Sequence, residues 1–374
     1  MAKVLFVSND PSLFVQDSAA RQRMYVYAAE IGDLHILSPA ARGAAETHEG
    51  ALHLYPVRVP RILRFFALRA RARHLIRSEG IEVVSAQDPF ELGLAALSAR
   101  RGTAAVLHVQ VHTDFLSPWF IRSGSVRMNL LNRVRVRTAG YVLRRARGVR
   151  VVSQRIKEAM AKRYELEVRE PAVIPVVVEA KPPDPVPLPA HAFKFGLACV
   201  GRLEPEKRIG DLFAALALLK PEYRRAVGVF IIGTGRQRRS LEQRAGALGL
   251  SGSVVFLGHR PDAWALMRSA QAFIQTSAYE GYGRTLVEAA LAGVPIITTD
   301  VGIVGDVLRP GKEALVAPVA RPAAIAQHIE TLVEENHTRM ALTAAAKAAV
   351  DVHLHAAGDI PQRIAADISA CLGV

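Results

Sequence analysis

Two glutamates stand eight residues apart in the segment SAYEGYGRTLVEAALAGVPIITTD, residues 277–300. Glu280 precedes the glycine-rich loop GYGRT (281–285), and Glu288 lies on the alanine-rich helix that follows. The start of a helix favours an anion, and we predict Thr285 as its N-cap and Glu288 in its first turn. One carboxylate could then accept sugar or ribose hydroxyls while the other faces a reacting carbon. The alternative is that Glu288 is an ordinary carboxylate near a helix start.

Basic residues and glycines follow two other predicted strands. In ACVGRLEPEK, Gly201 and Arg202 end a strand and Lys207 precedes a helix, so the two cations are placed to bind a diphosphate. Solvated surface charges are the alternative interpretation. Gly233 and Gly235 follow the apolar run VFII directly, where the backbone either approaches a ligand or forms a tight turn.

These residues lie in two successive arrays of alternating strand and helix patterns. Short apolar runs, typical of buried parallel strands, alternate with helical patterns through the first half and again after the proline-rich stretch EAKPPDPVPLPAHA. We predict an α/β fold with two doubly wound domains, residues 1–182 and 194–374, joined by a linker at 183–193, with the last helix crossing back to the first domain. Ligands bind beyond the carboxyl ends of strands in such sheets, so a cleft between the domains is the expected site.

Composition limits the function classes. The chain has 374 residues, of which 22% are charged, and its formal net charge is +14, which favours an anionic partner. Two widely separated cysteines argue against a zinc site or a disulfide scaffold. The first ten residues predict no signal peptide, and we expect a cytoplasmic protein. The sequence contains no Asp-x-Asp pair, no complete P-loop and no Gly-x-Ser-x-Gly motif.

Taken together, four segments carry a family pattern: VGRLEPEK, IIGTG, VVFLGHR and the 277–308 segment with its two glutamates. In this order and spacing, the chain resembles the retaining glycosyltransferases of family 4, which have the GT-B fold of two Rossmann-like domains. The resemblance implies that Arg202 and Lys207 hold the donor diphosphate and that Glu288 binds the ribose. It also implies that Glu280 and the loop backbone contact the donor sugar. The donor-binding residues predicted in this way are Gly201, Arg202, Lys207, Gly233, Gly235, Arg260, Gly281, Tyr282, Gly283, Arg284, Thr285 and Glu288.

The first half resembles the family more loosely. His112 follows an apolar strand, and the family has a histidine in a comparable place near the reaction centre, so we predict a catalytic role for His112 beside Glu280. The loop after the first strand, SNDPSLFVQDSAARQR, lacks the glycine pair of many relatives. Asn9, Asp10 and Arg23 are therefore only candidates for the acceptor side. Arg284 also departs from the family, which usually has an aliphatic residue there.

The predicted function is transfer of a sugar from a nucleotide-diphosphate donor to a hydroxyl acceptor, a glycan or a lipid-linked saccharide, with retention of configuration. No cofactor and no metal are expected. The alternatives are a sugar-nucleotide epimerase or hydrolase on the same fold and a non-catalytic protein that binds sugar nucleotides or polyanions. Arginines cluster with apolar residues at 58–78, and nine arginines lie between positions 122 and 150. This pattern predicts an anionic membrane surface as a partner. Nucleic acid is not expected, because no aromatic stacking platform accompanies the arginines.

Overall fold

The computed structural model describes residues 2–41, 43–122, 124–164 and 170–373. Its contacts divide the chain into two compact units. Unit 1 comprises 1–116, 130–175 and 358–374, and unit 2 comprises 117–129 and 176–357. Within the described residues, no helix combines the length and the apolar character that crossing a bilayer requires.

Unit 1 is built on an eight-stranded sheet with the order β3-β4-β2-β1-β5-β6-β7-β8. β3 pairs antiparallel with β4, and the other described neighbours are parallel. The central strands are buried along nearly their whole length, which explains their continuous apolar sequences. The strands are β1 Lys3–Val7, β2 Asp33–Pro39, β3 Thr47–Glu49, β4 Leu52–Val57, β5 Val83–Ala86, β6 Val106–Val111, β7 Gly148–Val151 and β8 Ala172–Val173.

Helices alternate with these strands. They are α1 Ala19–Ile31, α2 Arg64–Ser78, α3 Glu91–Ala99, α4 Val126–Leu143 and α5 Gln154–Arg163. The sequence predicts a start of α2 at residue 62, but Pro60 is followed by one 3₁₀ turn, Arg61–Leu63, before the α-helix begins. β3 and β8 were not predicted, because three and two residues are too short to show a period.

Unit 2 contains a six-stranded sheet with the order β11-β10-β9-β12-β13-β14, in which the described pairs are parallel. Its strands are β9 Phe195–Val200, β10 Val227–Ile232, β11 Val254–Gly258, β12 Ala272–Gln275, β13 Ile296–Thr299 and β14 Leu315–Ala317. Its helices are α6 Ile209–Leu218, α7 Pro221–Ala226, α8 Arg238–Ala247, α9 Ala263–Arg268, α10 Arg284–Ala292, α11 Pro322–Glu334 and α12 Asn336–Ala357. The last helix of the chain, α13 (Ile360–Ser369), belongs to unit 1.

The core of unit 2 lies between its sheet and helices α6 and α11. Phe213 on α6 and Ile329 on α11 are fully buried against Leu197 and Ile274 of the central strands. Burying aromatic and branched aliphatic side chains stabilises such a layer by about 1.5–3 kcal/mol each. This packing fixes the strands whose ends carry the candidate site.

In each sheet the strand order reverses beside the first strand. In unit 2 the chain runs outward from β9 through β10 to β11 and then returns to place β12 on the other side of β9. In unit 1 the same reversal places β5 beside β1. Loops diverge where the order reverses, and they leave a crevice at the carboxyl ends of the two strands. The loops after β9 and β12 are therefore the first place to look for a ligand site.

Candidate active site

The loops that follow β9 and β12 are joined to each other. The two strands pair in parallel, with Ala272 opposite Leu197, so both chains leave the sheet at the same edge. Beyond the strands, the Ala278 N–H donates to the carbonyl of Glu206 at 2.7 Å. The Thr276 hydroxyl donates to the carbonyl of Lys207 at 2.9 Å. These two hydrogen bonds to backbone carbonyls fix the position of Lys207 against the loop that carries Glu280.

An ion pair between Lys207 and Glu280 lies at the centre of this group. The Lys207 ammonium contacts Glu280 Oε1, and the side chains are 19% and 17% exposed. The Ser277 hydroxyl donates to the same carboxylate oxygen at 2.7 Å. Ser277 was not predicted as a site residue. Its position three residues before Glu280 was the available signal, since side chains at that separation can contact each other. The arrangement presents a preoriented, partly accessible ammonium beside a carboxylate.

Two other predicted cations are placed differently. Arg202 is 75% exposed and pairs with Glu206 at 3.1 Å. Arg260 follows β11, at the edge of the sheet, and donates two hydrogen bonds to Asp262, at 2.7 and 2.6 Å. Among the contacts of the described residues, none joins Arg260 to the Lys207–Glu280 pair. Arg202 follows the same strand as Lys207, namely β9, whereas Arg260 follows β11, two strands from β9 in the sheet.

Gly233 and Gly235 bring one loop against another. Gly233 has φ +143°, and a Cβ there would stand 1.9 Å from the carbonyl oxygen of Gly201. At Gly235 a Cβ would meet the backbone of Leu203 at 2.5 Å. The structure thus gives both glycines a packing role in which the loops after β9 and β10 touch backbone to backbone. Direct contact of these glycines with a ligand stays a prediction.

The start of α10 differs from the prediction. The helix begins at Arg284, and its N-cap is Gly283 with φ +84°. The assignment of Thr285 as N-cap is therefore wrong. Its hydroxyl donates instead to Gln275 Oε1 at the end of β12, at 2.7 Å. This contact ties the first turn of α10 to the neighbouring strand.

Glycines also shape the loop before α10. Gly281 is buried, and the ring of Tyr282 is buried with its hydroxyl 3.0 Å from Nε2 of His353 on α12. The Tyr282 carbonyl accepts a hydrogen bond from Ile303 at 3.0 Å. The Tyr282 side chain is thus committed to the interior of unit 2. A ligand bound at this loop would therefore contact the backbone of Tyr282 and not its side chain.

Glu288 lies in the second turn of α10, not in the first as predicted, because the helix starts before Thr285. It is 9% exposed, and Arg284 Nε donates to its Oε1 at 2.7 Å. Burial raises the pKa of Glu288, and the charge and hydrogen bond of Arg284 oppose this rise only in part. The site therefore holds a buried carboxylate that the neighbouring Arg284 does not fully compensate.

In unit 1, His112 is the first residue after β6 and is open to solvent. Desolvation by the surrounding protein, together with the positive charges of Arg150 and Arg23, lowers the pKa of His112. The imidazole is therefore neutral at neutral pH. Arg23, another predicted residue, thus acts on His112 through its charge.

Arg150 was counted among the nine arginines predicted to form a basic surface. That assignment is wrong, because Arg150 is buried. It is 2% exposed and donates to Gln110 Oε1 at 2.8 Å and to the carbonyls of Ile174 and Pro175 at 3.1 and 2.7 Å. Its partners are remote in sequence. Its position between two valines on a predicted strand was the sequence signal that could have indicated burial.

Asn9 and Asp10 follow β1. Asp10 caps the short 3₁₀ helix Pro11–Phe14, since its Oδ1 accepts from the Ser12 N–H at 3.0 Å. Asn9 is exposed and accepts from Arg64 at 3.2 Å. Both side chains thus have local partners, and their acceptor-side role stays a prediction.

Solved structures of other proteins share this architecture. Sucrose-phosphate synthase from Thermosynechococcus elongatus matches with a TM-score of 0.80 at 17% identity, over 97% of both chains. HepE from Anabaena, in complex with UDP-glucose, matches with a TM-score of 0.72 at 22% identity, over 99% of this chain and 100% of that one. At these identities the likeness concerns the fold alone. The predicted GT-B fold, with two parallel-sheet α/β domains, is confirmed.

Family models cover most of the sequence. Residues 192–349 match the family described as "Glycosyl transferases group 1", and residues 27–181 match "Glycosyltransferase Family 4". The chain belongs to the group 1 glycosyltransferases of the GT-B type. The family resemblance drawn from the four sequence segments is thereby confirmed, and retention of configuration stays a prediction.

Curated relatives match over shorter stretches. The lipopolysaccharide core biosynthesis glycosyltransferase LpsE of Rhizobium meliloti is 27% identical over 143 residues, which is 38% of this chain and 41% of the relative. The 2-deoxystreptamine glucosyltransferase of Streptomyces kanamyceticus is 28% identical over 207 residues, 52% of this chain and 53% of the relative. The matched part of this chain thus spans about half the length of these relatives.

Glu313 is a second buried glutamate with an arginine four residues before it, so it can be compared with Glu288. Glu313 is 1% exposed and pairs with Arg309, as Glu288 pairs with Arg284. Burial alone would raise the pKa of Glu313, but hydrogen bonds from the Arg309 side chain and backbone, together with the charges of Arg309 and Lys312, outweigh it and lower the pKa. Ionised Glu313 therefore stabilises the fold above its unfolded pKa, and this contribution is lost as pH falls through the lowered value. For Glu288 the sign is opposite: ionisation costs stability, and the cost is relieved as pH falls through the raised value.

We therefore expect Glu288→Gln to keep or raise the free energy of unfolding at neutral pH. We expect Glu313→Gln to lower it by about 1 kcal/mol or more, because a charge-assisted hydrogen bond is lost. Denaturant unfolding at neutral pH and at about pH 4 measures both, and the deficit of Glu313→Gln should shrink at the lower pH. Equal destabilisation by the two substitutions would contradict the assigned environment of Glu288.

Proposed function

We propose that the protein transfers a sugar from a nucleotide-diphosphate donor to a hydroxyl acceptor, a glycan or a lipid-linked saccharide, with retention of configuration. The observation that carries the proposal is the Lys207–Glu280 pair at the point where the strand order of unit 2 reverses. An ammonium beside the start of a helix suits a diphosphate, and the neighbouring carboxylate suits sugar hydroxyls. Membership of the group 1 glycosyltransferases supports the same reaction. The complexes of HepE with UDP and with UDP-glucose make uridine nucleotides the first donors to test.

The donor diphosphate is assigned to Lys207, with Arg202 as a second contact and the first turn of α10 as a third. When the bond between sugar and diphosphate breaks, negative charge develops on the leaving group. A fixed ammonium and the N–H groups of a helix start stabilise that charge without reorganising. Lys207 is the better preorganised of the two cations, because Glu280 and the backbone bonds of its loop hold it in place.

The ribose and the sugar are assigned to the carboxylates. Glu288 is proposed to accept the ribose hydroxyls, whose hydrogen bonds would compensate the buried carboxylate. Glu280 is proposed to hold the donor sugar by its hydroxyls. His112, in unit 1, is proposed as a second catalytic residue. Its lowered pKa leaves the ring neutral, so that one nitrogen donates and the other accepts a hydrogen bond.

The diphosphate-binding role of Lys207 is tested by titrating UDP into Lys207→Ala and Arg202→Ala. A lost charge-assisted hydrogen bond should cost about 1.5–3 kcal/mol, or roughly ten- to one-hundred-fold in affinity, for Lys207. The loss for Arg202 should be smaller, because that side chain is 75% exposed. Arg239→Ala, which removes an exposed charge from the same unit, is the matched control. Unchanged UDP affinity in Lys207→Ala would remove the proposed diphosphate site.

The reaction-centre assignment separates turnover from binding. Glu280→Gln and His112→Ala should each lower turnover at least about a hundredfold while changing UDP affinity less than threefold, since a misplaced reacting group can cost about 10² in rate. Glu280→Gln should bind UDP no more weakly than the wild type, because a negative charge beside the diphosphate is removed. Acceptor-dependent UDP release and the anomeric configuration of the first product, by proton NMR, are measured together. Near-native turnover in either variant excludes that residue from the reaction centre.

Metal independence is a further prediction of the leaving-group assignment. Enzymes that use a divalent ion hold it with oxygen ligands beside the phosphates. Here cations and a helix start occupy that role, and Glu280 and Glu288 are assigned to hydroxyls. Initial turnover in excess EDTA should therefore stay within twofold of the untreated rate. Loss of turnover in EDTA that magnesium or manganese restores would overturn the assignment.

Membrane association is a second proposal, carried by one exposed surface of unit 1. Apolar side chains protrude where α2 begins, namely Ile62 at 84%, Leu63 at 51% and Phe66 at 63% exposed. Exposed arginines flank them at positions 58, 61 and 69. Apolar side chains ringed by arginine suit the headgroup region of an anionic bilayer, and each basic residue near the surface adds about 1 kcal/mol.

Co-sedimentation with phosphatidylglycerol-containing vesicles tests this surface. Binding should require the anionic lipid and fall as salt is raised, and Phe66→Ser should weaken it several-fold. Leu218→Ser, which changes an exposed leucine of unit 2, is the control. Equal binding to neutral vesicles, or equal binding by Phe66→Ser and the wild type, contradicts the proposal.

A further inference from the structure

Two histidines and an aspartate of unit 1 face one another away from every residue used above. Asp33 and His35 are two positions apart on β2, so their side chains share a face of the sheet. His53 on β4 lies directly opposite His35 in the parallel register. One ligand atom from each residue lies within 4.8 Å of the others.

The three side chains converge on one point. Asp33 Oδ1 lies 2.9 Å from His35 Nε2 and 3.3 Å from His53 Nε2. His35 is 3% exposed, and within the described part of the chain its buried Nε2 and Asp33 Oδ1 have no partner with hydrogen-bond geometry. The other oxygen of Asp33 faces Lys3, at 3.6 Å. A nearly fully buried imidazole nitrogen thus points at a carboxylate oxygen without being satisfied by it.

The opposite nitrogen of each ring has a neighbour that fixes its orientation. His35 Nδ1 lies 3.0 Å from the Tyr55 hydroxyl, and His53 Nδ1 lies 3.0 Å from Nδ1 of His48. When Nε2 binds a metal, Nδ1 carries the proton and can donate it to exactly such a partner, which is how metal-binding histidines are oriented in proteins.

We propose that Asp33, His35 and His53 form a binding site for a divalent transition-metal ion, with zinc as the best-suited ion. Ligand atoms about 2.0–2.1 Å from a tetrahedral zinc stand about 3.3 Å apart, close to the two separations found here. Two imidazoles and one carboxylate suit zinc better than magnesium or calcium, which prefer oxygen ligands alone. Three protein ligands leave the fourth position to water. The ion would join β2 to β4.

This site is separate from the residues proposed for catalysis in unit 1. Asp33 begins β2 and pairs with Lys3, the first residue of β1, whereas Asn9 and His112 follow the carboxyl ends of their strands. The two edges of the sheet are about 15 Å apart at about 3.3 Å per residue. No metal was expected from the sequence, and Asp-x-His followed by a histidine 18 residues later matches no common zinc spacing.

The experiment is zinc titration of the chelator-stripped full chain against a chromophoric competitor, with zinc alone as the probe. The wild type should bind one zinc per chain, and His53→Asn and Asp33→Asn should each weaken binding at least tenfold. Both substitutions lie at partly exposed positions, which limits damage to the fold, and the thermal unfolding of each variant reports whether the chain remains folded. His337→Asn, an exposed histidine on α12, is the control and should stay within twofold.

Cobalt provides a second readout, since a tetrahedral ion with nitrogen and oxygen ligands gives an intense visible spectrum. The wild type and His337→Asn should show that spectrum, and His53→Asn should lose it. Absence of stoichiometric zinc in the wild type, or equal affinity in the wild type, His53→Asn and Asp33→Asn, would overturn the proposal. Neither result depends on turnover, so the site stands or falls separately from the transferase.

Discussion

The parallel pairing of β9 with β12 is the constraint on which the candidate donor site depends. Because the chain returns from the edge strand β11 to the far side of β9, residues about 70 positions apart leave the sheet side by side. The bonds from Ala278 to Glu206 and from Thr276 to Lys207 continue that alignment beyond the strands. A cation from one loop and a carboxylate from the other consequently meet without either loop having to be long.

Electrostatics distinguish this edge from the rest of unit 2. The Lys207 ammonium is held before any ligand arrives, so little side-chain entropy remains to be lost on binding a diphosphate. Glu288, by contrast, is buried with a raised pKa, while Glu313 has the same arginine spacing and a lowered one. A carboxylate kept in an unfavourable environment is typical of a functional position, where the cost is offset by a ligand.

Local sequence patterns predicted the elements well and the contacts between them poorly. Apolar runs such as VFII in β10 identify buried strands because their neighbours in the sheet cover both faces. The N-cap was misassigned because Gly283, at φ +84°, starts α10 before Thr285, whose hydroxyl is drawn to Gln275 on β12. Arg150 was counted with a basic surface because the carbonyls that satisfy it lie more than 20 residues away. Such partners depend on topology, which a period of two or 3.6 residues does not encode.

A crystal structure of the protein with UDP-glucose tests the central claim most directly. The account predicts the diphosphate within hydrogen-bond distance of Lys207 Nζ and the first turn of α10. It also predicts the ribose hydroxyls on Glu288 and the sugar hydroxyls on Glu280. A nucleotide bound at the same occupancy elsewhere, with Lys207 still paired to Glu280 and free of phosphate, would contradict it.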